Sequence, residues 1–104
     1  MVPSDRDLIA ECRLDLGGLR AQRARYARLG LASEELERRR GSLTVHFGAG
    51  LDQALLEKTI AAEAECCPFF SFDYSAPERL LRIGVERAEQ HAALDALAFA
   101  LGAE

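Results

Sequence analysis

Hydrophobic and polar residues alternate in several short segments of this 104-residue chain. Residues 8–14 have a period of two, which predicts a strand whose apolar side includes Cys12; a helix capped by Asp5 or Asp7 is the alternative. The segment SLTVHF, which begins at Ser42, alternates in the same way and predicts a half-buried strand. Farther along, FFSFDYS and RLLRIGVE are separated by the turn SAPE, and together they predict a hairpin.

Four helices are predicted from capping residues and composition. Asp15 caps a first helix through GLRAQRARYARL, which stops at Gly30. Ser33 followed by two glutamates predicts a second, short helix that reaches about Arg40 and is ended by Gly41. The other two are a helix over residues 51–66, with Asp52 or Gly50 near its start, and a terminal Ala/Leu-rich helix, RAEQHAALDALAFALG, closed by Gly102.

This order of elements predicts one α+β domain over residues 1–104. We expect a two-layer structure in which a mostly antiparallel sheet of three or four strands is covered by helices. The length leaves no room for a second hydrophobic core, and no repeat or linker divides the chain.

A carboxylate and two adjacent cysteines share the apolar stripe of the 51–66 helix. At about 100° per residue, Glu63 lies near the middle of the stripe, Cys66 and Cys67 lie one turn later, and Glu65 points to the opposite side. A carboxylate in an apolar stripe is costly unless it is paired or protonated. The group is therefore a candidate site.

The proline after the cysteines favours a shared sulfur site. Pro68 pushes Cys67 out of the helical region, so its sulfur can turn independently of that of Cys66. Paired thiolates select soft ions, and the candidates are Hg(II), As(III), Cu(I) and Zn(II), with no organic cofactor implied. Zinc usually takes four ligands, whereas three sulfurs suit a trigonal soft ion. Cys12 is the candidate third ligand. Glu63 is either a fourth donor or a group that contacts the ligands from behind.

Local electrostatics favour a metal site over a nucleophile. The cysteines lie at a helix C-terminus and near an acid, and both features raise the pKa of a thiol. A bound cation reverses this effect, because it deprotonates its ligands.

Two other functions fit the same residues. In a thiol-dependent enzyme, thiolates would hold mercury while Glu63 protonates a carbon–mercury bond, or the cysteines would form a redox dithiol. The redox dithiol is disfavoured, because a bond between adjacent cysteines closes a strained ring and no C-x-x-C is present. In a structural or partner-binding module, Cys66 and Cys67 would only fill the core, as buried cysteines often do.

Composition narrows the function further. The net charge is −4, with nine Arg against seven acids in residues 1–40. An acidic chain without a known reader motif argues against nucleic-acid binding despite this arginine zone. His46 and His91 are each interpreted as an ordinary surface histidine rather than a ligand. The odd number of cysteines and the absence of a signal peptide predict a cytoplasmic protein with reduced thiols. The chain has no apolar run of about 18 residues, so no membrane span is expected.

The motif AEAECCPFFSF, with ECRL near the N-terminus, resembles a small bacterial cysteine domain. That domain has a C-x-L segment, an Arg-rich helix and an E-x-x-CCPF-x-x-F motif, and occurs alone or appended to regulators of the mercury-sensor (MerR) type. Here the last motif runs from Glu63 to Phe72. The resemblance covers about residues 8–87 and implies handling of a soft metal or metalloid; a metal-sensor regulator or a second copy of the chain is the expected protein partner.

Overall fold

The computed structural model describes residues 16–102. The predicted strand over residues 8–14 and the cap at Asp15 lie outside the described residues. Along the chain the elements are α1 (Leu16–Gly30), β1 (Ser33–Arg39), β2 (Ser42–Phe47), α2 (Gln53–Cys66), β3 (Ser71–Ser75), β4 (Leu80–Gly84), a 3₁₀ turn (Ala88–Gln90) and α3 (His91–Ala100).

The four strands form one antiparallel sheet in the order β1-β2-β4-β3. Alternate residues of β2 and β4 face the core and are at most 2% exposed: Leu43, Val45, Phe47, Leu81 and Ile83. Residues of intermediate or high exposure, such as Thr44 and Arg82, occupy the other face. The period-two pattern therefore predicted β2 and the β3–β4 hairpin correctly, and the α+β class is confirmed.

The predicted short helix from Ser33 to Arg40 is wrong, because this segment is strand β1. Every strand position from Glu35 to Arg39 pairs with β2, and the chain reverses between Arg39 and Ser42. Gly41 makes the reversal with a φ of +76°, a conformation that side chains disfavour. The hydrogen bonds of β1 to its neighbour thus outweigh the local helix-start pattern of Ser33 and the glutamates after it.

Helix α2 begins and ends where the sequence predicts. The Asp52 side chain caps it by accepting a hydrogen bond from the backbone N–H of Leu55 at 3.0 Å. At the other end, Cys67 leaves the helical conformation, with φ −126° and ψ 77°, while its N–H still donates to the carbonyl of Glu63 at 2.7 Å. The steric effect of Pro68 on the preceding residue explains this break.

The helices pack together beside the sheet, with α1 contacting both α2 and α3. Gly30 ends α1 against α3 so closely that a Cβ there would lie 2.2 Å from the carbonyl oxygen of Leu101. Leu29, Leu56 and Leu94 join the sheet residues in one core and are at most 2% exposed. In residues 16–102, no helix combines the length and the apolar character needed to cross a membrane.

Candidate metal centre

Glu63, Cys66 and Cys67 form a buried cluster at the C-terminal end of α2. Their exposed fractions are 5%, 3% and 6%. One carboxylate oxygen and the two sulfurs all lie within 4.8 Å of one another, and the sulfurs are 3.4 Å apart. The helical stripe places Glu63 and Cys66 on the same face, and the break before Pro68 brings the Cys67 sulfur to its neighbour. The sulfurs and the acid therefore converge.

Helix α1 supplies a fourth polar group to this cluster. The hydroxyl of Tyr26 donates a hydrogen bond to Oε1 of Glu63 at 2.7 Å, and Tyr26 is only 3% exposed. This distance is typical of a well-formed hydrogen bond between two oxygens. The bond offsets part of the cost of burying the Glu63 charge among core residues.

Electrostatics keep Tyr26 in its neutral, donating form. Burial raises the pKa of the Tyr26 phenol well above its usual value, and the negative charges of Glu63 and Cys67 raise the pKa further. A neutral phenol is a hydrogen-bond donor rather than a ligand. Tyr26 therefore acts on the cluster through Glu63.

The two cysteines are in different oxidation states. Cys66 takes part in a disulfide bond in this structure, whereas Cys67 does not. The expectation that all thiols are reduced thus does not hold for Cys66. Thiolates are the form of cysteine that binds metals, so only the reduced protein offers both sulfurs to an ion.

The sulfur separation, with Cys66 disulfide-bonded, lies nearer to a bent metal geometry than to a linear one. With metal–sulfur bonds of about 2.3 Å, a separation of 3.4 Å corresponds to a sulfur–metal–sulfur angle of about 95°. A tetrahedral centre needs about 3.8 Å between its sulfurs, and a linear centre about 4.6 Å. The pair is therefore closer to a bent, three- or four-coordinate arrangement than to a linear one.

The remaining candidate ligands do not join this group in the part of the chain that is described. Cys12 lies outside the described residues, so its role as a third ligand stays a prediction. Among residues 16–102, the cluster of metal-ligating side chains at Glu63 includes neither His46 nor His91. His46 is a partly exposed residue of β2, and His91 begins α3.

The basic zone of the sequence is spread over separate surfaces. Arg20, Arg23 and Arg28 are exposed on α1. Arg38, on β1, pairs instead with Asp95 of α3 at 2.8 Å. This pairing joins the edge strand to the last helix, so Arg38 has a structural role.

Sequence reasoning did not identify Tyr26 as part of the site. A signal was present, because Gln22, Tyr26 and Leu29 follow the i, i+4, i+7 spacing of one helical face. All three are buried at the interface of α1 with its neighbours. The partner of Tyr26, however, depends on how α1 packs against α2, and periodicity alone does not reveal that packing.

Comparisons with protein-family models, with curated proteins and with solved structures find no match to this chain.

Proposed function

We propose that the reduced protein binds one soft or borderline metal or metalloid ion through Cys66, Cys67 and Glu63, in the cytoplasm, for sequestration, delivery or sensing. The observation that carries this proposal is the convergence of two sulfurs and a buried carboxylate within 4.8 Å. Thiolates select thiophilic ions, and a cation offsets the negative charge that the three groups concentrate in the core.

The bent geometry of the two sulfurs favours some of the candidate ions over others. Zn(II) and As(III) adopt bent three- or four-coordinate arrangements, whereas Hg(II) and Cu(I) with two thiolates favour a linear one. A linear ion would require the sulfurs to separate by about 1.2 Å more than the observed 3.4 Å. We therefore expect Zn(II) or As(III) to need less rearrangement, with Cys12 as a further ligand.

The resemblance to a domain appended to mercury-sensor regulators supports the same proposal. It also suggests the protein partner, which would be a metal-sensor regulator or a second copy of this chain. The acidic balance of the whole chain supports a partner other than nucleic acid.

Titration of the reduced protein with Zn(II), As(III), Hg(II) and Cu(I) tests the proposal. The control is a Cys66→Ser/Cys67→Ser variant, and Cys12→Ser tests the third ligand. We expect one tight site in the wild-type protein and its loss in the double variant. Equal binding by the two proteins would contradict the proposal. A double variant that is only less stable, beside a wild type that binds no ion, would support the structural-module alternative.

A second candidate function is thiol–disulfide exchange, which the contact between Cys67 and the disulfide-bonded Cys66 favours. In this step the Cys67 thiolate attacks Sγ of Cys66 and forms a Cys66–Cys67 bond. The former partner of Cys66 leaves as a thiolate and takes up the proton that Cys67 released. No external oxidant is needed, because one disulfide replaces another.

Acid quenching, alkylation and peptide mass spectrometry of the oxidised protein test this second candidate. Exchange predicts a peptide that contains the Cys66–Cys67 disulfide and alkylation at the former partner of Cys66. Recovery of Cys67 in its alkylated form only, at every time point, would exclude exchange.

The organomercurial-lyase-like alternative stays a prediction. It requires Glu63 to carry a proton for transfer to carbon. The hydrogen bond from Tyr26 does not decide this, because a carboxyl group accepts such a bond in either protonation state.

A further inference from the structure

A buried polar seam joins α1 to α2 beside the candidate metal centre. It consists of Gln22 and Tyr26 on α1 and Thr59 and Glu63 on α2, all less than 9% exposed. Nε2 of Gln22 donates to the carbonyl of Thr59 at 2.9 Å, one turn before the bond from Tyr26 to Glu63 at 2.7 Å. Each helix thus presents two seam residues spaced by four, and the two bonds fix how the helices align.

The hydrogen bond from Tyr26 to Oε1 fixes the orientation of the Glu63 carboxylate. In this orientation one carboxylate oxygen lies within 4.8 Å of the two sulfurs. Rotation of the carboxylate away from it would leave the buried Tyr26 hydroxyl without its acceptor, which is unfavourable.

We propose that Tyr26 is a positioning residue that holds the Glu63 carboxylate beside Cys66 and Cys67 and so adapts the site to ions that accept an oxygen together with two sulfurs. This inference rests on the proposed function. It deepens that function by naming the ion class, which is the borderline class typified by Zn(II) rather than the two-coordinate class typified by Hg(II).

Two physical arguments support this role. Partners that hydrogen-bond to metal ligands orient those ligands, and their removal typically lowers metal affinity about 10- to 100-fold. Hg(II) needs only two thiolates, so its affinity should be insensitive to the orientation of Glu63. Tyr26 therefore affects the two ions differently, which a merely structural residue would not do.

Tyr26→Phe, with Tyr74→Phe as its matched control, tests the inference. Within residues 16–102, the buried hydroxyl of Tyr74 has no hydrogen-bond partner, so the same substitution there removes no bond. In reduced protein we expect Tyr26→Phe to weaken Zn(II) binding about 10- to 100-fold and to leave Hg(II) binding unchanged. Tyr74→Phe should leave both affinities unchanged.

The outcomes separate this inference from the proposed function. Equal loss of affinity for both ions in Tyr26→Phe would show a structural role and overturn the inference, and so would unchanged Zn(II) affinity. A wild-type protein that binds neither ion would instead overturn the proposed function, whatever Tyr26 does.

A spectroscopic arm keeps the inference testable even if Tyr26→Phe fails to fold. The chain has two tyrosines and no tryptophan, so tyrosine emission of Tyr74→Phe comes from Tyr26 alone. We expect Zn(II) to change this emission, because ligation withdraws charge from the carboxylate that accepts the Tyr26 bond. The change in emission should disappear in a triple variant that carries Tyr74→Phe, Cys66→Ser and Cys67→Ser. Emission that does not respond to Zn(II) bound at the cysteines would overturn the inference.

Discussion

Removal of the Tyr26 hydroxyl should change how stability depends on alkaline pH. In Tyr26→Phe, the buried carboxylate of Glu63 loses the donor that contacts it at 2.7 Å. Hydrogen bonds to charged groups contribute about 1.5–3 kcal/mol, so we expect a loss of this size near neutral pH. The phenol also adds a pH dependence that phenylalanine lacks.

The sign of that dependence follows from the raised pKa of Tyr26. In the unfolded chain the phenol ionises at about pH 10, whereas burial and then the charge of Glu63 keep it neutral in the folded protein. Its contribution is therefore fully present below about pH 10 and is lost as the pH rises toward the folded-state pKa. At about pH 11 the loss amounts to about 1.4 kcal/mol, because only the unfolded state has released the proton.

Urea unfolding between about pH 9 and pH 11 measures this effect. The wild-type protein should lose stability more steeply than Tyr26→Phe, by about 1.4 kcal/mol over the range. All other titrating groups are shared by these two proteins, so they cancel in the comparison. Equal slopes in Tyr26→Phe and the wild type would refute the conclusion that Tyr26 is held neutral beside Glu63.

Three further predictions concern the fold that positions the site. Gly30→Ala should lower the free energy of unfolding by about 3 kcal/mol, because the new Cβ meets the backbone carbonyl of Leu101 just after α3. Gly50→Ala should change the melting temperature little, because no atom of the described residues lies within 4 Å of the added Cβ. Gly41→Ala should destabilise by about 1–2 kcal/mol in urea unfolding because of its positive φ; a stabilisation would contradict the β1–β2 turn. Phe47→Ala should lower the free energy of unfolding by about 3–5 kcal/mol in the same assay, because Phe47 is fully buried. A loss as small as that caused by Phe99→Ala, at an exposed position, would contradict the assigned core.

Local patterns predicted those elements in which one periodicity dominates. The alternation from Leu43 to Phe47 predicted a strand with a buried face, and Asp52 and Pro68 predicted the limits of α2. The segment after Ser33 has a helix-start pattern, yet it pairs with β2, and only the partner strand could have revealed this. Propensity is a weak guide where long-range pairing is available.

The candidate site was predictable to the extent that it lies on one helix. Glu63 and Cys66 share a face of α2, and the helical wheel was enough to bring them together. Tyr26 is separated from Glu63 by 37 residues and reaches it only through the packing of α1 on α2. Cys12 lies outside the described residues, so its contribution as a ligand stays a prediction.

X-ray absorption spectroscopy of the reduced, zinc-loaded protein tests the central claim most directly. Two sulfurs and one carboxylate around one ion predict zinc–sulfur distances of about 2.3 Å together with at least one zinc–oxygen distance of about 2.0–2.2 Å. Cys66→Ser/Cys67→Ser should lose both of these sulfur contributions. A zinc shell of nitrogen and oxygen alone in the wild-type protein would contradict the claim.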